Sequence, residues 1–252
     1  MAKMTLLEIT VDILNDMDSD EVNSINDTIE SQQVAQIVKT CYFEMIANRN
    51  WPHLRKLVQL DSAIDVTKPN YLKLPVGTKE LVFFKYDKFT TTNPKSRLDE
   101  VKYKEPDSFL RLISTRDSTL TNIDSVIDFS GTKLLILNNQ PPSYWTSFDD
   151  EYVVTDAYDV AVDSTLQKVK TQCLAYIDPV WVHSDTAIPD LPSEAFPALL
   201  EESKSTAFLA LKQTTNQKAE QKAGRQARWL SRKAWAAHGG IQYQDYGRKS
   251  KK

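Results

Sequence analysis

The sequence predicts an α+β protein: a helical bundle built from an N-terminal hairpin and long C-terminal helices, with a central inserted antiparallel β domain. Three observations predict it. Apolar residues recur every third or fourth position up to about residue 50, alternate from about residue 57 to 155, and return to helical spacing beyond. Pro, Gly and Asn punctuate the middle section, where turns are needed. The longest stretch compatible with helix starts between Ser193 and Pro197 and stops at Gly239-Gly240, and glycine accepts the left-handed conformation that ends helices.

The elements follow in order. TLLEITVDILNDM, residues 5 to 17, places Leu6, Ile9, Ile13, Leu14 and Met17 on one helical face. DSDEVNSIND interrupts it, and Asp27 with Glu30 three residues on has the form of a capping box for the next helix. That helix carries Val34, Ile37, Val38, Cys41, Met45 and Ile46 in a stripe and is expected to stop before Trp51-Pro52, because the residue before proline is pushed out of the α region. Strands are expected in KLVQLDSAIDV, YLKLPVGTKELVFFKYDKF and VIDFSGTKLLILNN, with FSGTK as a hairpin turn. EPDSFLRLIS predicts a short helix through Phe109, Leu110 and Ile113, and YWTSFDDEYVVTDAYD a strand pair. Helix is expected again over DVAVDSTLQKVKTQCLAYIDPVWV, where Val162, Leu166, Val169 and Cys173 share a face.

The final helical stretch is apolar on one side at its start (Leu199, Leu200, Phe208, Leu211). Its middle is Gln, Thr, Asn and Lys, and its end carries a narrow stripe of Ala219, Ala223, Ala227, Leu230 and Ala234. The expectation is that the first half packs on its own domain while the second projects as a docking arm. A kink or break between Thr214 and Gln217 is equally compatible with the residues. The divisions are therefore 1–56 (helical hairpin), 57–155 (β domain), 156–240 (C-terminal helices) and 241–252 (basic tail).

The formal net charge of −3 conceals an asymmetry. Residues 218 to 252 hold ten Lys/Arg against Glu220 and Asp245, a net of +8, leaving 21 Lys/Arg against 32 Asp/Glu in the first 217 residues, a net of −11. Cys41 and Cys173 stand far apart inside apolar patterns and read as buried free thiols. No run of about 18 apolar residues could cross a bilayer, and the start carries acids where a signal peptide needs a basic flank. No membrane anchor is expected, and the chain is expected in the cytoplasm at first.

No chemistry stands out. Asp16, Asp18 and Asp20 echo the opening of a calcium loop, but Glu21 stands where that loop needs glycine and Asp27 where it needs glutamate. Phe148-Asp149-Asp150-Glu151-Tyr152 could offer carboxylates for hydrolysis, yet adjacent acids on a strand point to opposite faces. His53, His183 and His238 lie in helix exits or loops, with no nucleophile elbow and no Gly-rich phosphate loop nearby. Neither enzyme activity, cofactor nor metal is expected. The basic end suits a protein interface, whose hot spots favour Arg and aromatic residues, or contact with nucleic acid through phosphate neutralisation and stacking on Trp229, Trp235, Tyr243 and Tyr246.

This order of helical hairpin, Trp-Pro exit, β insertion, long helices and basic tail resembles the head-to-tail adaptor family of tailed bacteriophages, called tail tubular protein A in short-tailed phages. DTIESQQVAQIVKTCYFEMIANRNWPHLRKLVQL, YLKLPVGTKELVFFKY, DDEYVVTDAYD and the stretch from Leu191 to Gly240 carry the resemblance. It implies a structural virion protein at the head-tail junction, forming a homo-oligomeric ring of commonly twelve copies beneath the portal protein. Such a ring joins the portal to the tail nozzle or next tail component and passes packaged double-stranded DNA. It further implies that Arg225, Arg228, Trp229, Arg232, Lys233 and Trp235, then Tyr243, Tyr246, Arg248 and Lys249, engage the portal. Two rivals stand beside it: a nucleic-acid-binding regulator using the basic helix, and a virion-borne cell-wall hydrolase using Asp149 and Glu151.

Overall fold

The computed structural model describes residues 3–48, 50–63, 65–88 and 97–237, with side chains through Arg232 in the last helix. The fold is α+β, with helices and antiparallel sheets. In chain order the elements are α1 (Leu6–Asp16), α2 (Ile29–Ala47), β1 (Arg55–Val58), β2 (Asp61–Ser62), β3 (Tyr71–Lys73), β4 (Thr78–Asp87), β5 (Leu98–Glu100) and β6 (Lys102–Tyr103). There follow α3 (Pro106–Ser114), β7 (Ile123–Ile127), β8 (Lys133–Leu137), β9 (Tyr144–Thr146), β10 (Tyr152–Thr155), β11 (Thr171–Ile177), α4 (Phe196–Lys212) and α5 (Gln217–Ala237). They form two compact units: a helical one of residues through Leu54 and from Pro179, and a β unit of Arg55–Asp178.

In the helical unit, α1 begins with a reciprocal cap in which Glu8 N donates to Thr5 Oγ1 at 3.2 Å and Thr5 N to Glu8 Oε2 at 2.7 Å. Its next amides are taken by the returning chain: Leu6 N donates to the Ala187 carbonyl and Leu7 N to that of Asp185. The buried face of α1 is Leu6, Ile9, Ile13 and Leu14, and that of α2 includes Val34, Val38, Cys41 and Ile46. The α2 cap differs from the sequence expectation. Thr28 and Ser31 exchange the capping bonds, while Asp27 one residue earlier accepts from Asn23 N and Ser24 N to shape the preceding turn. A hydroxyl at 28 followed by one at 31 satisfies the same donors that the Asp27-Glu30 pair was expected to satisfy.

Lys204 of α4 ties that helix to α1 through Asp12 at 2.9 Å and Asp16 at 2.7 Å. Its side chain is only 10% exposed, whereas the two carboxylates stay 43% and 49% exposed. Burial works against the Lys204 charge, but the hydrogen bonds its ammonium donates to Asp16 and Asp12 overcome it and hold the group above its ordinary 10.5. A lysine whose folded pKa exceeds its unfolded value stabilises the fold fully below the unfolded pKa, and the gain disappears as pH rises through the folded one. Thermal melts are therefore expected to hold level through mildly alkaline pH and to fall above 10.5, more steeply than in Lys204→Met. Parallel curves for the two proteins would remove Lys204 as the cause.

The predicted long rod is broken. α4 stops at Gln213, whose φ of 52° and ψ of 28° put a side-chain-bearing residue in the left-handed region, and Asn216 caps α5 by accepting from Ala219 N at 3.1 Å. Of the two arrangements the sequence allows, rod or break near 214–217, the break is the one formed. Because Gln213 occupies a conformation that glycine adopts without a Cβ clash, Gln213→Gly is expected to raise stability by roughly 0.5–1 kcal/mol. A denaturant midpoint at or below wild type would show that its side chain makes a compensating contact.

The β unit contains a four-stranded sheet ordered β1-β11-β4-β5, a five-stranded sheet ordered β2-β3-β10-β9-β6, and the β7-β8 hairpin. Pairing is antiparallel except between β6 and β9. Phe84, Tyr86, Cys173, Val153, Phe109 and Ile136 belong to its buried core. The FSGTK turn lies between β7 and β8, with Gly131 at φ 85° as such a tight turn requires. α3 buries Phe109 and Ile113 and leaves Leu110 38% exposed. After α3, the largely covered Arg116 side chain donates through Nη1 to the carbonyls of Leu135 (2.9 Å) and Asp156 (2.6 Å) and through Nη2 to Asp156 Oδ2 (3.0 Å). Asp156 Oδ1 accepts from Ser143 N and Tyr144 N.

The helix expected from residue 159 is instead loop, a 3-10 turn at Lys168–Lys170, and β11, which lies between β1 and β4. Val162, Leu166, Val169 and Cys173 have helical spacing, yet Thr171, Cys173 and Ala175 alternate inward as well, and Val169 is 79% exposed. Pairing with β1 on one side and β4 on the other decides between the two periods. The β unit therefore runs to Asp178, and the division expected at 155/156 falls inside it. Both cysteines are free and buried, and burial pushes the Cys173 thiol up to about 12 and raises that of Cys41.

Candidate docking surface

The most distinctive surface is the outer side of α5, and it exists because α5 folds back on α4. Ala219, Ala223 and Leu230 are 3%, 3% and 5% exposed, and Lys222 reaches Glu201 of α4 at 2.7 Å. The alanine stripe allows close helix approach, as its small residues promised, but the helix it meets is α4 of the same unit. The projecting arm expected from the sequence is thus corrected: burying these side chains within the chain is more favourable than leaving them for a partner.

Packing one face inward turns the other outward. Lys218, Lys222, Arg225, Arg228 and Arg232 are exposed along α5, Glu220 is the single acid of the helix, and Trp229 is 47% exposed. Lys222 is neutralised by Glu201, but Arg225, Arg228 and Arg232 make no ion pair among the described residues. Arg228 bends back to donate through Nε to the Gly224 carbonyl at 3.1 Å. On the inner side of α5, away from this face, lies a cavity of about 240 Å³ between α2, α4 and α5, lined by Met45, Trp51, Ala223, Ala227 and Leu230 with Glu44 and Glu202.

The charge asymmetry has a place in this geometry. Residues 1–54 and 179–217 hold five Lys/Arg against fourteen Asp/Glu, whereas residues 55–178 hold sixteen against eighteen. The acidity is spread over α1, α2, α4 and the loops of the helical unit, and one charge of the +8 end serves the chain's own fold through Lys222–Glu201.

Of the residues expected to bind a partner, Arg225, Arg228, Trp229 and Arg232 share the outer side of α5. Lys233 and Trp235 are in the helix but their side chains lie outside the described residues, as do Tyr243, Tyr246, Arg248, Lys249 and His238 altogether. Of the other sequence candidates, Asp16, Asp149 and His53 have structural contacts. Asp16 holds Lys204, and among the described residues no group of His, Cys, Asp and Glu is placed to hold a metal ion. Asp149 Oδ1 accepts from Glu151 N and Tyr152 N, so Asp149 shapes the β9-β10 turn in which Glu151 also stands. His53 Nε2 is 2.9 Å from the Asp190 carbonyl. No helix among the described residues is long and apolar enough to cross a membrane.

One feature of the β unit escapes a reading of the sequence. Tyr71, Leu110, Phe129, Phe148, Asp128 and Asp149 line a hollow of about 320 Å³, in which the only sequence signal is two phenylalanines inside polar turns. No protein-family model matches the chain, and no curated protein matches it.

Proposed function

We propose that the protein is a non-enzymatic structural subunit of the head-to-tail adaptor type, which assembles as an oligomeric ring on the portal protein of a tailed phage. In that setting the ring continues the DNA channel and connects the capsid to the next tail component. The observation that carries this is the outer side of α5, where Trp229 and the three arginines Arg225, Arg228 and Arg232 are displayed on an ordered helix braced by α4. Arg and Trp concentrated on one rigid surface suit a protein hot spot, since little ordering entropy remains for the partner to offset. The interruption of the helical unit by a β unit agrees with the element order that resembles the adaptor family.

The same arginines favour a second reading, contact with duplex DNA, in which the phosphates replace a protein's carboxylates. The two separate experimentally. Purified protein mixed with portal rings is expected to bind them, and the Arg225→Ala/Arg228→Ala/Trp229→Ala variant to lose most of that binding. Tight, steeply salt-dependent binding of duplex DNA with no portal binding would instead favour the regulator.

A further inference from the structure

The hollow in the β unit is concave, apolar at its base and acidic around it. Phe129 is 55% exposed, Phe148 39% and Leu110 38%, a concentration of uncovered large side chains around one cavity. Its size, about 320 Å³, lies at the small end of ligand-binding clefts, roughly 300–1,000 Å³, and suits a single large side chain.

The polar groups define what that side chain should bring. Tyr71 donates to Asp128 Oδ1 at 2.6 Å and Ser130 donates twice to Oδ2, from N at 2.9 Å and from Oγ at 2.6 Å. Partial burial opposes the Asp128 charge, but these hydrogen bonds outweigh it and hold the carboxyl below its ordinary range, so it stays ionised. Asp149 uses Oδ1 for the turn amides, while its Oδ2 accepts no hydrogen bond among the described residues. Asp150 and Glu151 follow it, both exposed. Lys68 Nζ already sits 4.4 Å from the Phe129 ring centroid, showing that a cation is accommodated there. An apolar anchor accompanied by cations fits all of these groups.

This chain displays such a segment. Trp229, with Arg228 next to it and Arg225 and Arg232 one turn to either side, offers an aromatic anchor flanked by guanidinium groups on the outer side of α5. We propose that the hollow lined by Phe129, Phe148 and Asp149 is a socket for Trp229 and its neighbouring arginines from a second copy of this chain. The contact is heterologous: each copy offers α5 to one neighbour and the socket to another, which generates a ring or an open helix according to whether the rotation closes. The proposal rests on the α5 surface being an assembly surface and assigns it a second copy as its direct partner, so that truncating Trp229 lowers portal binding through loss of the ring that the portal receives.

Sedimentation velocity on the full chain tests it. Wild type is expected to self-associate at low salt and to dissociate as salt screens the charges. Trp229→Ala, and separately Phe129→Ala/Phe148→Ala, are each expected to weaken association at least about tenfold. All three positions are more than a third exposed, so circular dichroism should show native folds. The decisive arm mixes the two variants: one retains the socket and the other α5, so the mixture is expected to form one-to-one pairs that neither forms alone. A monomeric wild type, a socket variant that associates like wild type, or a mixture that stays monomeric would overturn the socket. Portal binding, measured separately and lost only with Trp229→Ala, would leave the adaptor reading standing while the socket fell.

Discussion

Asp156→Ala is expected to destabilise the β unit by about 3–5 kcal/mol, the usual cost of removing one partner from a buried ion pair. The Arg116 side chain is 11% exposed and that of Asp156 is 3% exposed, so water cannot replace the lost carboxylate. The substitution leaves a guanidinium without its counter-charge and also releases the Ser143 and Tyr144 amides, each of which donates to Asp156 Oδ1. The pair joins the end of α3 to β8 and to the segment entering β9, elements that otherwise meet through apolar contacts. Exposed pairs such as Arg111–Asp107, with side chains 80% and 75% exposed, provide the internal contrast: removing one should barely move the same measurement. Urea unfolding followed by circular dichroism distinguishes the cases. A shift for Asp156→Ala no larger than for Asp107→Ala would mean that Arg116 is solvated or finds another acceptor.

Arg225→Ala/Arg228→Ala/Trp229→Ala is expected to weaken portal binding by about a hundredfold or more while leaving the thermal midpoint near wild type. A single interface hot spot costs 2 kcal/mol or more on truncation, and two or three together exceed the roughly 2.7 kcal/mol that a hundredfold represents. Stability should be spared because these side chains are exposed, whereas Ala219, Ala223 and Leu230, which hold α5 to α4, are untouched. Truncation after Thr215 would separate these two roles of α5 poorly. It removes the buried stripe as well as the outer surface and uncovers α4, so lost binding would not separate docking from unfolding. Wild-type portal affinity in the triple variant would leave α5 with a purely structural role.

The parts of the fold decided by local chemistry were legible in the residues. α1 and α2 follow their apolar stripes, Pro106 opens α3, and Gly131 makes the β7-β8 turn. Where long-range pairing competes with local period, the sequence misleads. Residues 171 to 177 satisfy both helix and strand spacing, and only the presence of β1 and β4 on either side settles them as a strand. The same limit explains the arm: the stripe of Ala219, Ala223 and Leu230 announces a close helix partner without saying that the partner is α4. Arg225, Arg228, Trp229 and Arg232 were visible as a group, but their common exposure depends on which side of α5 is buried. The socket gathers residues from β3, α3, the β7-β8 turn and the β9-β10 turn, a convergence that spacing cannot reveal.

Electron cryo-microscopy of the purified protein bound to portal rings tests the central claim most directly. The expected result is density for α5 at the contact, with Trp229 and at least two of Arg225, Arg228 and Arg232 within contact distance of the portal or of a neighbouring copy seated on it. A complex in which residues 55–178 make every contact, with the outer side of α5 facing solvent around the whole ring, would contradict it.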